Sequence, residues 1–236
     1  MANTCSSREG PFELSQSPLP RVIVYAATSL DGKTTGFDAD VGLFYELAAA
    51  WKEDASLCGS DTMVAASAEE ASAASSDEQP KASSSAPLLV VPDSRGRVKA
   101  WRYLLGLPYW RGAVVLCSSA TPASYLSELA ELGIETIITG TDHADYRTAL
   151  AELRERFGVE TLRVDSGGRL SGLLLREGLV DEVSVLIFPT LVGDASPLSI
   201  YNLPDDAGHA QVVSLALRSV EVPRDDAVWL RYDVDR

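Results

Sequence analysis

The feature that most constrains the fold is an alternation along the chain. Short apolar runs rich in Val, Ile and Leu recur from residue 21 to the C-terminus, and several are separated by segments whose apolar residues return every three or four positions. The runs cover residues 21–28 (RVIVYAAT), 55–60 (ASLCGS), 87–93 (PLLVVPD), 112–118 (GAVVLCS), 135–140 (ETIITG), 161–166 (TLRVDS), 182–192 (EVSVLIFPTLV), 210–222 (AQVVSLALRSVEV) and 227–234 (AVWLRYDV). Helical periodicity marks residues 41–53, 122–132, 146–157 and 170–177, as in YLSELAELG and TALAELRERFG. Strand, helix, strand in alternation predicts an α/β fold: a mainly parallel sheet with helices on both faces. The last two runs are joined by PRDD, which leaves no room for a crossover helix, so the sheet is expected to be mixed and to end in an antiparallel hairpin.

A chain of 236 residues, 46% hydrophobic, can bury a sizeable core. Residues 1–20 read as an N-terminal extension and residues 21–236 as a single domain. Residues 67–87 are a low-complexity stretch of Ala, Ser and Glu without an apolar face. They are expected to form a long mobile loop inside that domain, since the part before them supplies only two strands and one helix.

Several function classes fall away on charge and composition. A formal net charge of −14 repels nucleic acid and anionic membrane surfaces alike. The longest apolar stretches fall short of the ~20 residues that span a bilayer, and MANTCSSREGPFELSQ lacks the basic-then-apolar pattern of a signal peptide. A cytoplasmic protein without a membrane or nucleic-acid partner is expected. Cys5, Cys58 and Cys117 lie too far apart for a zinc site, so no metal is expected. His143 and His209 stand outside any nucleophile motif, and the pairs Asp205–Asp206 and Asp225–Asp226 read as turn acids.

In open α/β sheets ligands bind beyond the carboxyl ends of the strands. The residues there include Asp31 and Lys33 in SLDGK, Thr62 in GSDT, Ser94 and Arg95 in PDSRGR, and Asp165, Gly167 and Gly168 in VDSGGRLSG. In the last of these an acid ends a strand, two glycines allow unusual torsions or close approach, and a helix begins near Leu170. A helix N-terminus presents unpaired amide donors that suit a phosphate, yet the same glycines equally serve a tight turn. Asp31 either stabilises its own turn with Gly32 or faces a substrate, and Lys33 would attract an anionic one. The aromatic cluster Trp101, Tyr103, Tyr109 and Trp110 forms either core packing or a wall for a substrate ring.

In this order and spacing, SLDGK, GSDT, PDSRGR and DSGGRLSGLLLREGLVDEVSVLIFPTLVG resemble the pyrimidine reductase family of riboflavin biosynthesis, over about residues 20–234. That family is the C-terminal reductase domain of a bifunctional deaminase-reductase. The resemblance implies a dihydrofolate-reductase-like fold, NADPH as cofactor, a homodimer, and hydride transfer to a small heterocyclic substrate. It places Thr62, Ser94, Gly167, Gly168, Arg169, Leu170 and the backbone of Ala27 on the cofactor. Arg95 or Arg97 would hold its ribose 2′-phosphate. It places Asp165, where the family usually has Glu, on the substrate, orienting it and managing a proton, with Asp31 and Lys33 nearby. The stretch from Met63 to Ser67 and Ala50 differ from the family's substrate-holding residues. A reductase of a pteridine or carbonyl compound, or a non-catalytic nucleotide-binding protein, are the alternatives. No His-x-Glu with Pro-Cys-x-x-Cys occurs, so a stand-alone reductase is expected.

Overall fold

In the computed structural model, which describes residues 18–70, 82–202 and 212–235, the apolar runs build one nine-stranded sheet. Its strands are β1 (Arg21–Ser29), β2 (Ala55–Leu57), β3 (Leu88–Pro92), β4 (Gly112–Cys117), β5 (Glu135–Ile138), β6 (Thr161–Val164), β7 (Glu182–Phe188), β8 (Leu215–Glu221) and β9 (Val228–Val234). They lie in the order β5-β4-β3-β2-β6-β1-β7-β9-β8. The first seven run parallel, and β9 and β8 close the sheet as an antiparallel pair. The mixed α/β architecture expected from the sequence is therefore present. β7 stops at Phe188 rather than continuing to residue 192. Pro189 has no amide to donate to the ladder.

The helices are α1 (Val41–Ala48), α2 (Ser60–Glu70), α3 (Trp101–Gly106), α4 (Ala123–Glu131), α5 (Tyr146–Phe157) and α6 (Gly168–Arg176). Asp40 and Asp145 cap α1 and α5, accepting from Leu43 N and Thr148 N at 2.8 Å each. Two helices depart from the expected pattern. α2 is Ala-rich, which favours helix, but it carries no apolar stripe for a periodicity argument to find. Its last residues occupy the start of the expected 67–87 loop, and residues 71–81 of that loop lie outside the described residues. α3 is six residues long, too short to show a period.

Side chains alternate across the strands and sort the core by face. On one face α5 and α6 cover Val22, Val24, Leu57, Val90, Val114, Leu162 and Val164. On the other, α1 and Trp51 pack over Ile23, Tyr25 and Leu186, while α3 and α4 pack over Leu89, Val91 and Val115. With both faces covered, the parallel strands are apolar almost throughout. β6 is inserted between β2 and β1, with Val164 in register with both Leu57 and Val24. The loops that follow β1, β2 and β6 therefore meet at the middle of the carboxyl edge.

Candidate active site at the carboxyl edge of the sheet

Leu162 and Val164 point into the α5–α6 face, so Arg163 and Asp165 share the opposite one, under α1. The Arg163 side chain is only 6% exposed. Its Nε donates to Glu53 Oε1 at 2.8 Å, Nη1 to Asp165 Oδ2 at 3.0 Å and Nη2 to Ser56 Oγ at 3.3 Å. Tyr45 of α1 donates its hydroxyl to the same Asp165 Oδ2 at 3.2 Å, with its ring 5.7 Å from the guanidinium carbon. Burial alone would lower the pKa of Arg163, but Asp165 and Glu53 outweigh it, and the guanidinium stays charged. Burial and the Asp165 charge push the Tyr45 phenol above its ordinary value, which keeps it a donor. Asp165 Oδ1 has no hydrogen bond among the described residues, and the side chain is 26% exposed.

Arg163, Glu53 and Tyr45 were not singled out in the sequence. The available signal was a lone cation in TLRV, a strand whose other face is wholly apolar.

The turn after Asp165 is tied to the loop after β2. Asp165 N donates to Leu57 O at 3.0 Å, and Gly59 N donates to Ser166 Oγ at 3.1 Å. A Cβ on Gly59 would stand 2.7 Å from that hydroxyl and 3.8 Å from Thr62 Oγ1, so Gly59 lies between Ser166 and Thr62. Gly167 and Gly168 then part company. Neither has a positive φ, so close approach rather than torsion is at issue. Gly167, the N-cap of α6, has no side-chain cap, and a Cβ there would meet nothing within 4 Å. Gly168 is packed against the backbone of Ser199 and Ile200, and its carbonyl accepts from Asn202 N at 3.0 Å. One glycine faces open space and the other seats a crossing segment. The first-turn amides of α6, at Gly168, Arg169 and Leu170, remain a donor set for an anion.

Across the turn, the loop after β3 is pinned from beneath. The carboxylate of Asp93, 2% exposed, accepts from Val98 N at 2.8 Å and from the Tyr125 hydroxyl at 2.9 Å. Trp101 Nε1 donates to that hydroxyl at 3.0 Å, which places Trp101 in the core. Gly96, at φ 65°, lies on the Tyr125 ring, where a Cβ would come within 2.8 Å. This fixes Ser94, partly buried, and Arg95, exposed and without an ion pair or hydrogen bond among the described residues. Arg97, by contrast, is paired with Asp61 of α2.

The loop after β1 is fastened to the segment that leaves β7. Asp31 Oδ1 accepts from Ser29 Oγ at 2.6 Å and Val192 N at 3.0 Å, and Oδ2 accepts from Gly193 N at 2.7 Å. The bond from Ser29, then those from Val192 and Gly193, lower its pKa to about 2. Asp31 is thus a clasp between two loops, its carboxylate engaged by Ser29, Val192 and Gly193. Thr35 and Ser196 hydroxyls meet at 2.7 Å and Lys33 forms a bridge with Ser199. The segment from Val192 to Asn202 is therefore a strap running from the β1 loop to α6. Lys33 is partly buried and forms no ion pair among the described residues. Past Val24, β1 is paired only to β7, so the β6-facing edge at Ala27 carries no strand partner. Asp225 and Asp226 occupy the β8–β9 turn at φ 54° and 57°, as turn acids do; Asp205, Asp206 and His209 lie outside the described residues.

A profile of the RibD C-terminal domain matches residues 20–229. The 2,5-diamino-6-ribosylamino-4(3H)-pyrimidinone 5′-phosphate reductase of Methanothermobacter thermautotrophicus is 30% identical over 188 residues, 74% of this chain and 80% of that protein. The protein of the same name from Aquifex aeolicus is 27% identical over 107 residues, and that match covers 45% of this chain and about half, 47%, of the relative. The structure of Acinetobacter baumannii RibD superposes with a TM-score of 0.66 at 23% identity, over 92% of this chain and 58% of that one.

Proposed function

Because the chain belongs to the RibD C-terminal domain family, we propose that it is an NADPH-dependent reductase acting on a 2,5-diamino-6-ribosylamino-pyrimidinone 5′-phosphate, the compound for which its relatives are named. The observation that carries the reading is the convergence at one edge of Asp165, with a free Oδ1, and of the uncapped N-terminus of α6 opening beside it at Gly167.

The residues present suit a dinucleotide. The amides at Gly168, Arg169 and Leu170 would hold its pyrophosphate, approached over Gly167. Thr62 and Ser94, beyond the ends of the neighbouring strands, would line the rest of the dinucleotide, and Arg95, with no competing carboxylate among the described residues, would take the 2′-phosphate. The unpaired edge at Ala27 would meet the nicotinamide amide. When bound, the cofactor supplies the hydride. The protein's part is alignment: Asp165 Oδ1 accepts a hydrogen bond from a substrate N–H or O–H, while Arg163 and Tyr45 hold Oδ2. In the reaction that the family resemblance implies, C1′ of the ring-opened ribosylamine gains the hydride and the attached nitrogen gains a proton, giving a ribitylamine.

We also propose a cytoplasmic homodimer. The exposed Leu215, Leu217, Val220 and Val222 on and just beyond the edge strand β8 support the dimer, and sedimentation at micromolar concentration tests it. Turnover is tested by NADPH oxidation over a panel of the phosphorylated diaminopyrimidine, a pteridine and a simple carbonyl compound. Consumption with the first alone is expected. Turnover only with another member would move the activity to that substrate, and NADPH binding without any turnover would make the chain a nucleotide-binding protein.

A further inference from the structure

We propose that Arg163 is the positioning residue of this site: its buried guanidinium holds the Asp165 carboxylate so that Oδ1 alone is offered to the substrate. The inference rests on Asp165 being the substrate-facing acid.

Stability does not account for a cation at this place. Arg163 is 6% exposed and Glu53 11%, and a buried ion pair is on average no more stabilising than apolar residues of the same size. The same face holds Tyr25, Phe44 and Trp51, an aromatic cluster that would receive an apolar side chain. What the guanidinium adds is geometry. Its planar fork spends Nε on Glu53 and Nη2 on Ser56, which leaves Nη1 aimed at Asp165 Oδ2. Tyr45 takes the same oxygen from the other side. The carboxylate cannot turn without giving up both bonds.

A single outward acceptor also restricts what is recognised. Two carboxylates against one guanidinium leave the cluster net negative, so it repels a phosphate and accepts a neutral N–H or O–H donor. The phosphate end of the substrate must bind elsewhere.

Removing Arg163 alone would strand Glu53 in the core, so the test uses the double variant Glu53→Gln/Arg163→Met together with Arg163→Lys. With NADPH and the phosphorylated diaminopyrimidine, kcat of the double variant should fall about 100-fold, the cost of misplacing a reacting group by roughly an ångström. KM and the rise in Tm on adding NADPH should stay near wild type. Arg163→Lys, a point charge without the fork, should recover part of the lost kcat. A double variant that keeps wild-type kcat, or that loses turnover through KM alone, overturns the proposal. A crystal structure of the double variant reads the same point without turnover. The Asp165 carboxylate should swing from its wild-type rotamer, and an unmoved carboxylate overturns the proposal even if the wild-type protein proves inactive on this substrate. Inactive wild type with a displaced carboxylate would instead count against the assigned reaction and leave the positioning role standing.

Discussion

The α-carbon of Gly168 rests against the carbonyl oxygen of Ser199, closer than any side chain would allow. Four residues on, one helical turn later, the packing repeats at Gly172, where a Cβ would stand 2.9 Å from Asn202 O. The strap that begins at the Asp31 clasp is seated on these two glycines. Gly168→Ala should therefore cost about 2–3 kcal/mol, as overpacking against a backbone does, and lower Tm by roughly 5–10 °C. Gly167→Ala should leave Tm nearly unchanged while weakening NADPH, because its added methyl points into open space. Thermal unfolding with and without NADPH separates the two. Equal effects from both substitutions would contradict the division of labour between them.

Arg95 and Arg97 are two residues apart and differently engaged. Arg97 is spent on Asp61, and Arg95 is not spent at all among the described residues. Arg95→Ala should raise the Kd for NADPH by about 10–100-fold, the worth of one or two charge-assisted bonds, and leave NADH binding alone. Arg97→Ala removes an exposed pair worth ~1 kcal/mol or less and should change neither affinity much. Calorimetric titration of both cofactors against both variants decides it.

The Asp31 clasp has a defined pH window. Its folded pKa, about 2, lies below the ordinary aspartate value of about 3.9, so the folded state favours the carboxylate. The stability it contributes is fully present above pH ~4 and is lost as pH falls through about 2. Wild type and Asp31→Asn should differ in Tm by a constant amount from pH 7 down to about 4, and the gap should close below that. A gap that closes near neutral pH would assign it to another group.

The fold was legible because its signals are redundant. Most of the strands carry their own run of Val, Ile and Leu, and the PRDD turn alone dictates the hairpin. Two helices lack a periodic signal: α3 spans less than two turns, and α2 carries no apolar stripe. At the site, residues at strand ends could be located, but their partners could not. Asp31 looks identical in sequence whether it meets a ligand or Val192 and Gly193, which lie about 160 residues away. Nothing adjacent to Gly168 announces Ser199. No motif marks Arg163, because its meaning depends on Glu53 and Tyr45, which arrive from another strand boundary and another helix. Motif spacing identifies which loops converge; only tertiary packing shows which of their polar atoms are already used.

The Tyr125–Asp93 pair lies beneath the Ser94–Arg95 loop. Tyr125→Phe removes the donor at 2.9 Å from buried Asp93 and the acceptor of Trp101 Nε1 at 3.0 Å. Burial first, and then Asp93, push the phenol pKa well above its ordinary value, so the hydroxyl is a donor at any working pH. Its loss leaves the carboxylate with Val98 N as its remaining hydrogen-bond donor among the described residues. A cost of about 1–3 kcal/mol in urea unfolding is expected for a buried acceptor so deprived. The Ser94–Arg95 loop hangs from Asp93, so the same substitution should also weaken NADPH by several-fold while leaving kcat at saturating cofactor close to wild type. An affinity loss without the stability loss would mean that the hydroxyl acts on the cofactor by some route other than the carboxylate beneath it.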